Sequence, residues 1–177
     1  MNTFIGHTGL SAERIRVAFG QSAVGNVLVA ASDVGVAAIL LGDDWHALTR
    51  ELARAFPAAV LICEESALAD TVAKVVAFLE LPQGPLDLPL DIRGSALQRA
   101  VWQALRDVPA GRTISYGGLA RALPLPATAK EVGAACAANV LAVAIPYHRV
   151  VKADGAISGY RWGVQRKRDL IAREHTQ

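Results

Sequence analysis

Cysteine is scarce in this chain. Only Cys63 and Cys136 occur in 177 residues, far apart in sequence. Two such residues make no disulfide framework, and both are expected to be free, buried, small apolar side chains. Histidine is nearly as sparse: His7, His46, His148 and His175 are scattered without metal-ligand spacing, so no metal site is expected. No apolar run reaches the roughly 18 residues that a membrane span needs. Met1 to Leu10 lack a basic stretch followed by an apolar block. No secretory signal is read there, and the cytoplasm is the default expectation. Internal repeats and low-complexity segments are missing too.

Apolar residues make up 53 % of the chain, enough for a good core in one compact domain or two small ones. The net charge of +2 hides an asymmetry. Residues 1–90 hold five Lys/Arg and ten Asp/Glu, a balance of −5; residues 91–177 hold thirteen and six, a balance of +7. Segregated positive charge suggests that the second half meets a polyanion, although a basic face that binds nothing specific reads the same way.

Arg14–Phe19, Gly25–Ala31 and Val34–Leu41 are rich in Val, Ile and Leu and separated by Gly/Ser/Asp turns. They predict three short antiparallel strands. Asp43–Phe56 repeats Trp45, Leu48, Leu52 and Phe56 at helical spacing and stops at Pro57. Ser66–Leu81 predicts a second helix, closed by the breaker Pro82-Gln83-Gly84-Pro85. Leu86–Ile92 reads as an extended connector. A helix capped by Ser95 then runs to about Asp107, and Thr113–Tyr116 is short and extended. Gly117–Ala122 and Thr128–Asn139 predict two short helices in a helix–turn–helix pattern. A loop from Ala144 to Trp162 leads to a last helix, about Val164–Arg173. In the second short helix, Gly133 to Ala138 are all small, which on its own reads as tight packing.

Around His148 the residue types alone give little. His148 sits at the edge of the apolar run Leu141–Ile145, where a lone histidine is more often structural than catalytic. Glu174 and Asn139 are candidate partners. The run Pro146-Tyr147-His148-Arg149-Val150, however, resembles the Pro-Cys-His-Arg-Val signature of the O6-alkylguanine-DNA alkyltransferases, with Tyr147 at the cysteine. Further blocks match in order: Leu88–Gly94, Val101–Leu105, Thr113–Tyr116, Ala135–Asn139 and Ser158–Val164. Together they cover nearly the whole chain and are similar to the C-terminal half of the Ada type.

The resemblance implies an α/β protein. Residues 1–90 would be a small mixed-sheet, ribonuclease-H-like domain and residues 91–177 a helical, winged-helix-like DNA-binding domain. Some relatives carry a structural zinc in the first domain, but no ligand set for one is found here. Neither metal nor organic cofactor is expected, and the alkyltransferases are typically monomers. The implied partner is duplex DNA containing O6-alkylguanine, read from the minor groove and flipped out of the stack. By matching position, His148 and Glu174 correspond to the base and its orienting carboxylate, and Asn139 to the brace of the active-site turn. Tyr116 corresponds to the hydroxyl that helps protonate the departing guanine. Tyr160 with Ser158, Gly159 and Arg161 corresponds to the lid, and the backbone near Val150 to the reader of the guanine amino group. Lys130, Thr128, Ala135, Ala137, Arg149 and Ser115 are the expected DNA contacts.

Two departures matter. A phenol titrates near 10 and a thiol near 8.5, so roughly 0.1 % of an unassisted Tyr147 is phenolate at neutral pH. Its oxygen is also a poorer nucleophile toward an alkyl carbon, so efficient transfer is expected to be lost. The second departure is Lys130, where the family usually has an arginine that fills the gap left by the flipped base. Lysine keeps the charge without the flat stacking plane. Cys136 matches a structural cysteine and is not expected to replace the missing thiol. Three readings follow. One is a lesion binder like the alkyltransferase-like proteins, which recruit excision repair but usually lack the first domain. Another is an engineered or natural inactive variant of a true suicide methyltransferase. The third is a regulatory or protein-interaction domain that no longer binds DNA; in the Ada architecture this unit follows DNA-binding regulatory modules that the chain does not contain.

Overall fold

A computed structural model describes residues 11–175. His7 and the stretch Met1 to Leu10, over which no secretory signal was read, lie outside the described residues. The first half is a four-stranded sheet with one helix on each face. Strands β1 (Arg14–Ser22), β2 (Gly25–Ala31) and β3 (Val36–Gly42) form an antiparallel meander. Its first turn is a two-residue hairpin that pairs Ser22 with Gly25, whose φ of 117° suits glycine. The residues of β2 and β3 are almost all buried, which explains why they read as unbroken apolar runs. β3 begins two residues later than the sequence suggests, because Val34 lies in the exposed turn after Ser32.

Helix α1 (Trp45–Ala55) is capped by Asp44, which accepts from the His46 amide. It packs on the Phe19 side of the sheet, with the Phe19 and Trp45 rings edge to face at 5.1 Å. A fourth strand that sequence reasoning missed, β4 (Val60–Cys63), follows and pairs parallel to β1, giving the order β3-β2-β1-β4. Helix α2 (Glu65–Glu80) crosses back over the other face, where Leu68 and Val72 meet Ala18 and Ala31. Cys63 was expected to be buried, but β4 is an edge strand and this residue is exposed.

The connector 86–92 is extended and meets the sheet at the head of β3. There the Val36 amide donates to the Pro89 carbonyl at 2.8 Å and the Asp91 amide to Val36 at 2.8 Å. Gly35 permits this crossing, since a Cβ there would lie 2.5 Å from the Pro89 oxygen. The second half is helical: α3 (Ala96–Arg106), α4 (Tyr116–Ala122), α5 (Ala129–Ala137) and α6 (Val164–His175). Ser95 and Gln98 close a capping box on α3, and Val101, Trp102 and Leu105 form its buried stripe. Two short strands, β5 (Ile114–Ser115) and β6 (Val150–Val151), pair in parallel. One apolar core runs through both halves. The loop after α5 extends the sheet: Ile39 donates to the Val140 carbonyl at 2.9 Å and accepts from Ala142 at 3.0 Å. The strand edge of the first half thus fixes the start of the turn that carries Tyr147 and His148. No helix among the described residues is long and apolar enough to cross a membrane.

Candidate active site and nucleic-acid interface

The site is a single turn held from behind. Residues 141–150 are all buried, and Tyr147–Arg149 form one turn of 3-10 helix. Helix α5 ends at Ala137, two residues before the sequence suggests, because the Asn139 side chain serves this turn instead. Its oxygen accepts from the Leu141 amide at 2.8 Å, and its amide group donates to the carbonyls of Ile145 at 3.1 Å and Leu141 at 3.4 Å. Val143 has a φ of 59°, a left-handed conformation that costs a β-branched residue on the order of 1–3 kcal/mol. The hydrogen bonds of Asn139 and the bridge to β3 maintain that strain.

Glu174 enters from the last turn of α6. Its carboxylate accepts from His148 Nε2 at 2.7 Å, from Arg149 Nη2 at 2.7 Å and Nε at 3.0 Å, and from the Gly111 amide at 3.1 Å. Burial pushes this carboxyl up, but the bonds and charges of His148 and Arg149 outweigh it and hold the group down to about 2. Burial lowers the His148 imidazole, and the hydrogen bond and charge of Glu174 work in the opposite direction. Its other nitrogen, Nδ1, is buried without a hydrogen-bond partner among the described residues.

Tyr147 points toward the loop 158–160 and fills the space beneath it. Its side chain is buried, and its ring lies against Tyr160 with centroids 5.4 Å apart. Its hydroxyl donates to the Gly159 carbonyl at 3.3 Å and meets the Tyr116 hydroxyl at 3.4 Å. Tyr116 reaches it because β5 pairs beside β6 and Ser115 caps α4. Burial first, and the Tyr116 contact second, push the Tyr147 phenol well above its ordinary value. It is therefore a neutral group, and neither of its hydrogen-bond partners is a base.

Sequence reasoning missed Lys167. Its side chain is fully buried, with Nζ 3.0 Å from Ser158 Oγ and 5.2 Å from the Tyr147 ring centroid. Burial draws the amine down to about 8. A lysine within the amphipathic pattern of α6 carries no sequence signal of such a position, because only tertiary packing turns it inward.

Several expected site residues sit elsewhere. Arg149, expected at DNA, is buried, with its guanidinium spent on Glu174 and on the Val108 carbonyl at 2.6 Å. Arg161, expected in the lid, turns away from Tyr147 and bonds Glu51 at 2.7 Å and the Ala137 carbonyl at 2.9 Å. Ala135 faces inward, and its carbonyl accepts from Trp102 Nε1 at 2.8 Å. The outward face of α5 is Lys130, Ala134 and Ala137, all exposed and spaced as one helical stripe. The Thr128 and Ser115 hydroxyls are both taken by helix caps. Val150 lies fully buried in β6, paired with Ile114. Cys136 is buried, and burial pushes its thiol up to about 12.

Residues 96–176 match the family model described as the DNA-binding domain of 6-O-methylguanine DNA methyltransferase. A crystal structure of a variant of the Mycobacterium tuberculosis O6-methylguanine methyltransferase superposes with a TM-score of 0.68 at 30 % identity. The match covers 92 % of this chain and 93 % of that one. The chain belongs to the O6-methylguanine-DNA methyltransferase family. The Mycobacterium tuberculosis OGT in complex with DNA superposes with a TM-score of 0.73 at 28 % identity, over 91 % of this chain and 92 % of that one. The Escherichia coli bifunctional transcriptional activator/DNA repair enzyme Ada is 50 % identical over 160 residues, which are 90 % of this chain and 45 % of that protein. The chain thus spans just under half of that relative's length. This architecture, a sheet domain followed by a helical domain, is that of the family. A methylated-DNA–protein-cysteine methyltransferase from Mycolicibacterium paratuberculosis is 41 % identical over 108 residues, 61 % of this chain and 66 % of that protein. Its name specifies cysteine as acceptor. This family member has a buried tyrosine at position 147, one buried cysteine, and one exposed cysteine on the outer strand of the sheet.

Proposed function

We propose that this family member binds duplex DNA through its helical half, takes O6-alkylguanine out of the stack and holds it without accepting the alkyl group. The observation that carries the reading is the neutral, buried phenol of Tyr147 beside His148. Transfer needs an oxygen or sulfur anion to attack the alkyl carbon while the bond to guanine O6 breaks. The phenol keeps its proton, and its bonds run to a carbonyl and another phenol rather than to His148. In this reading residues 1–90 form a supporting domain and residues 91–177 the DNA-binding one. The stripe Lys130–Ala134–Ala137 enters the minor groove, Tyr116 and the 158–160 lid meet the base, and the protein acts as a monomer that marks lesions for excision repair.

Support for the DNA side is electrostatic as well as familial. Lys130 stands in the first turn of α5, where a cation opposes the helix dipole. Such a placement does not serve stability and suits a phosphate contact.

A second reading draws on the completeness of the surroundings. The Glu174 bonds to His148 and Arg149 and the Asn139 brace would serve a cysteine equally well, as in an inactive variant of a suicide methyltransferase. One experiment separates the readings. The wild-type chain and Tyr147→Cys are incubated with a duplex containing O6-methylguanine, and intact masses and affinities are recorded. A lesion binder gains no mass and prefers the lesion duplex. Methyl gain by the wild type defeats the proposal. No lesion preference, with methyl gain by the cysteine variant, supports the inactive-variant reading. Failure to bind DNA even at low salt points to a protein-interaction role.

A further inference from the structure

We infer that Lys167 is the positioning residue that holds the lid 158–160 in place over Tyr147, and so sets discrimination between damaged and undamaged DNA. The second clause rests on the lesion-binding reading above; the first does not.

Lys167 is fully buried, yet no carboxylate among the described residues lies within ion-pair distance of it. A lone ammonium in an apolar interior is costly, and an apolar side chain of similar volume serves a core better. What the ammonium touches is the lid. Nζ donates to Ser158 Oγ at 3.0 Å and to the Gly159 carbonyl at 3.4 Å, and it rests over the Tyr147 ring. The same two lid atoms continue outward. Ser158 Oγ meets the Tyr116 hydroxyl at 2.8 Å, and the Gly159 carbonyl accepts from Tyr147. One side chain thus ties together α6, the lid, the start of α4 and the turn that carries Tyr147.

The lid has little else beneath it. Residues 152–156 are exposed and close on themselves through the bond from the Lys152 amide to the Ala156 carbonyl at 2.9 Å. Gly159 is exposed, and a Cβ there would meet nothing within 4 Å. Tyr160 and Trp162 anchor the far side by packing. The near side depends on hydrogen bonds to Lys167, Tyr147 and Tyr116. A charge-assisted pair of such bonds is the strongest of these ties.

The test compares Lys167→Met and Lys167→Arg with the wild type by two readouts. The first is amide hydrogen exchange at Gly159 and Tyr160 in the DNA-free protein. The second is affinity for an O6-methylguanine duplex against the same duplex undamaged. Loss of bonds from a charged donor is expected to speed lid exchange about tenfold and to reduce lesion preference about tenfold. Exchange in α3 and affinity for undamaged DNA should stay within about twofold of the wild type. Arginine should restore part of both. Unchanged lid exchange in Lys167→Met overturns the clamp. An equal loss of affinity for both duplexes reduces Lys167 to a structural role and also overturns the proposal. If the wild type itself does not discriminate, the lesion-binding reading and the specificity clause fail together, while the exchange readout still decides the clamp. Should Lys167→Met not fold, Ser158→Ala removes the shorter of the two Lys167 bonds from the lid side and must still show faster exchange at Gly159 and Tyr160.

Discussion

Replacing Glu174 by glutamine should reveal how much of the protein's stability runs through the site. The side chain is 1 % exposed and accepts from His148, from Arg149 and from the Gly111 amide. Holding the carboxyl down to about 2, against an ordinary 4.5, corresponds to roughly 3 kcal/mol of folding free energy. The loss of one member of a buried pair leads to the same range, about 3–5 kcal/mol, because Arg149 would keep its charge with only the Val108 carbonyl as a strong partner. For a chain of this size that is a fall of roughly 6–20 °C in Tm.

The pH dependence sharpens the test. The contribution of Glu174 is complete above pH 4.5 and drains away between 4.5 and 2, where the unfolded state takes up a proton that the folded state refuses. Urea unfolding of the two proteins should therefore differ most at neutral pH and converge toward pH 2. Comparing the difference, rather than either curve, cancels other depressed carboxyls such as Asp91 and Glu13. Equal midpoints at pH 7, or a gap that stays constant down to pH 2, would refute the reasoning.

Two further outcomes are expected. Lys130→Ala should weaken binding to damaged and undamaged duplexes alike and lower the slope of log affinity against log salt by about one, read by fluorescence anisotropy at several salt concentrations. Its Tm should hold or rise slightly, because the cation at the start of α5 is removed, and unchanged affinity would take α5 off the phosphates. With a thiol reagent, Cys63 should label in the native protein and Cys136 only in denaturant; simultaneous labelling would contradict the burial of Cys136.

Most of the elements were legible because their signals are local. The apolar runs of β1 to β3, the spacing of Leu48 and Leu52 in α1, and the Ser95 cap need only neighbouring residues to be read. β4 was not legible. Four residues after Pro57 carry no periodicity of their own, and their pairing with β1 joins segments more than forty residues apart. The same distinction runs through the α5 stripe. Gly133 to Ala138 are all small, so composition does not say which of them faces inward, and packing on Trp102 selects Ala135.

The sequence by itself determined the family resemblance, most of the elements and the presence of a phenol rather than a thiol at position 147, because motifs and apolar runs are matters of covalent identity. Tertiary structure alone decided where side chains spend their hydrogen bonds. It turned Arg149 inward to neutralise Glu174, drew Arg161 across to Glu51, and sealed Lys167 beneath the lid. Charge on a residue is written in the chain. The partner that satisfies it depends on which distant segments the fold brings within about 3 Å, and no local pattern encodes that.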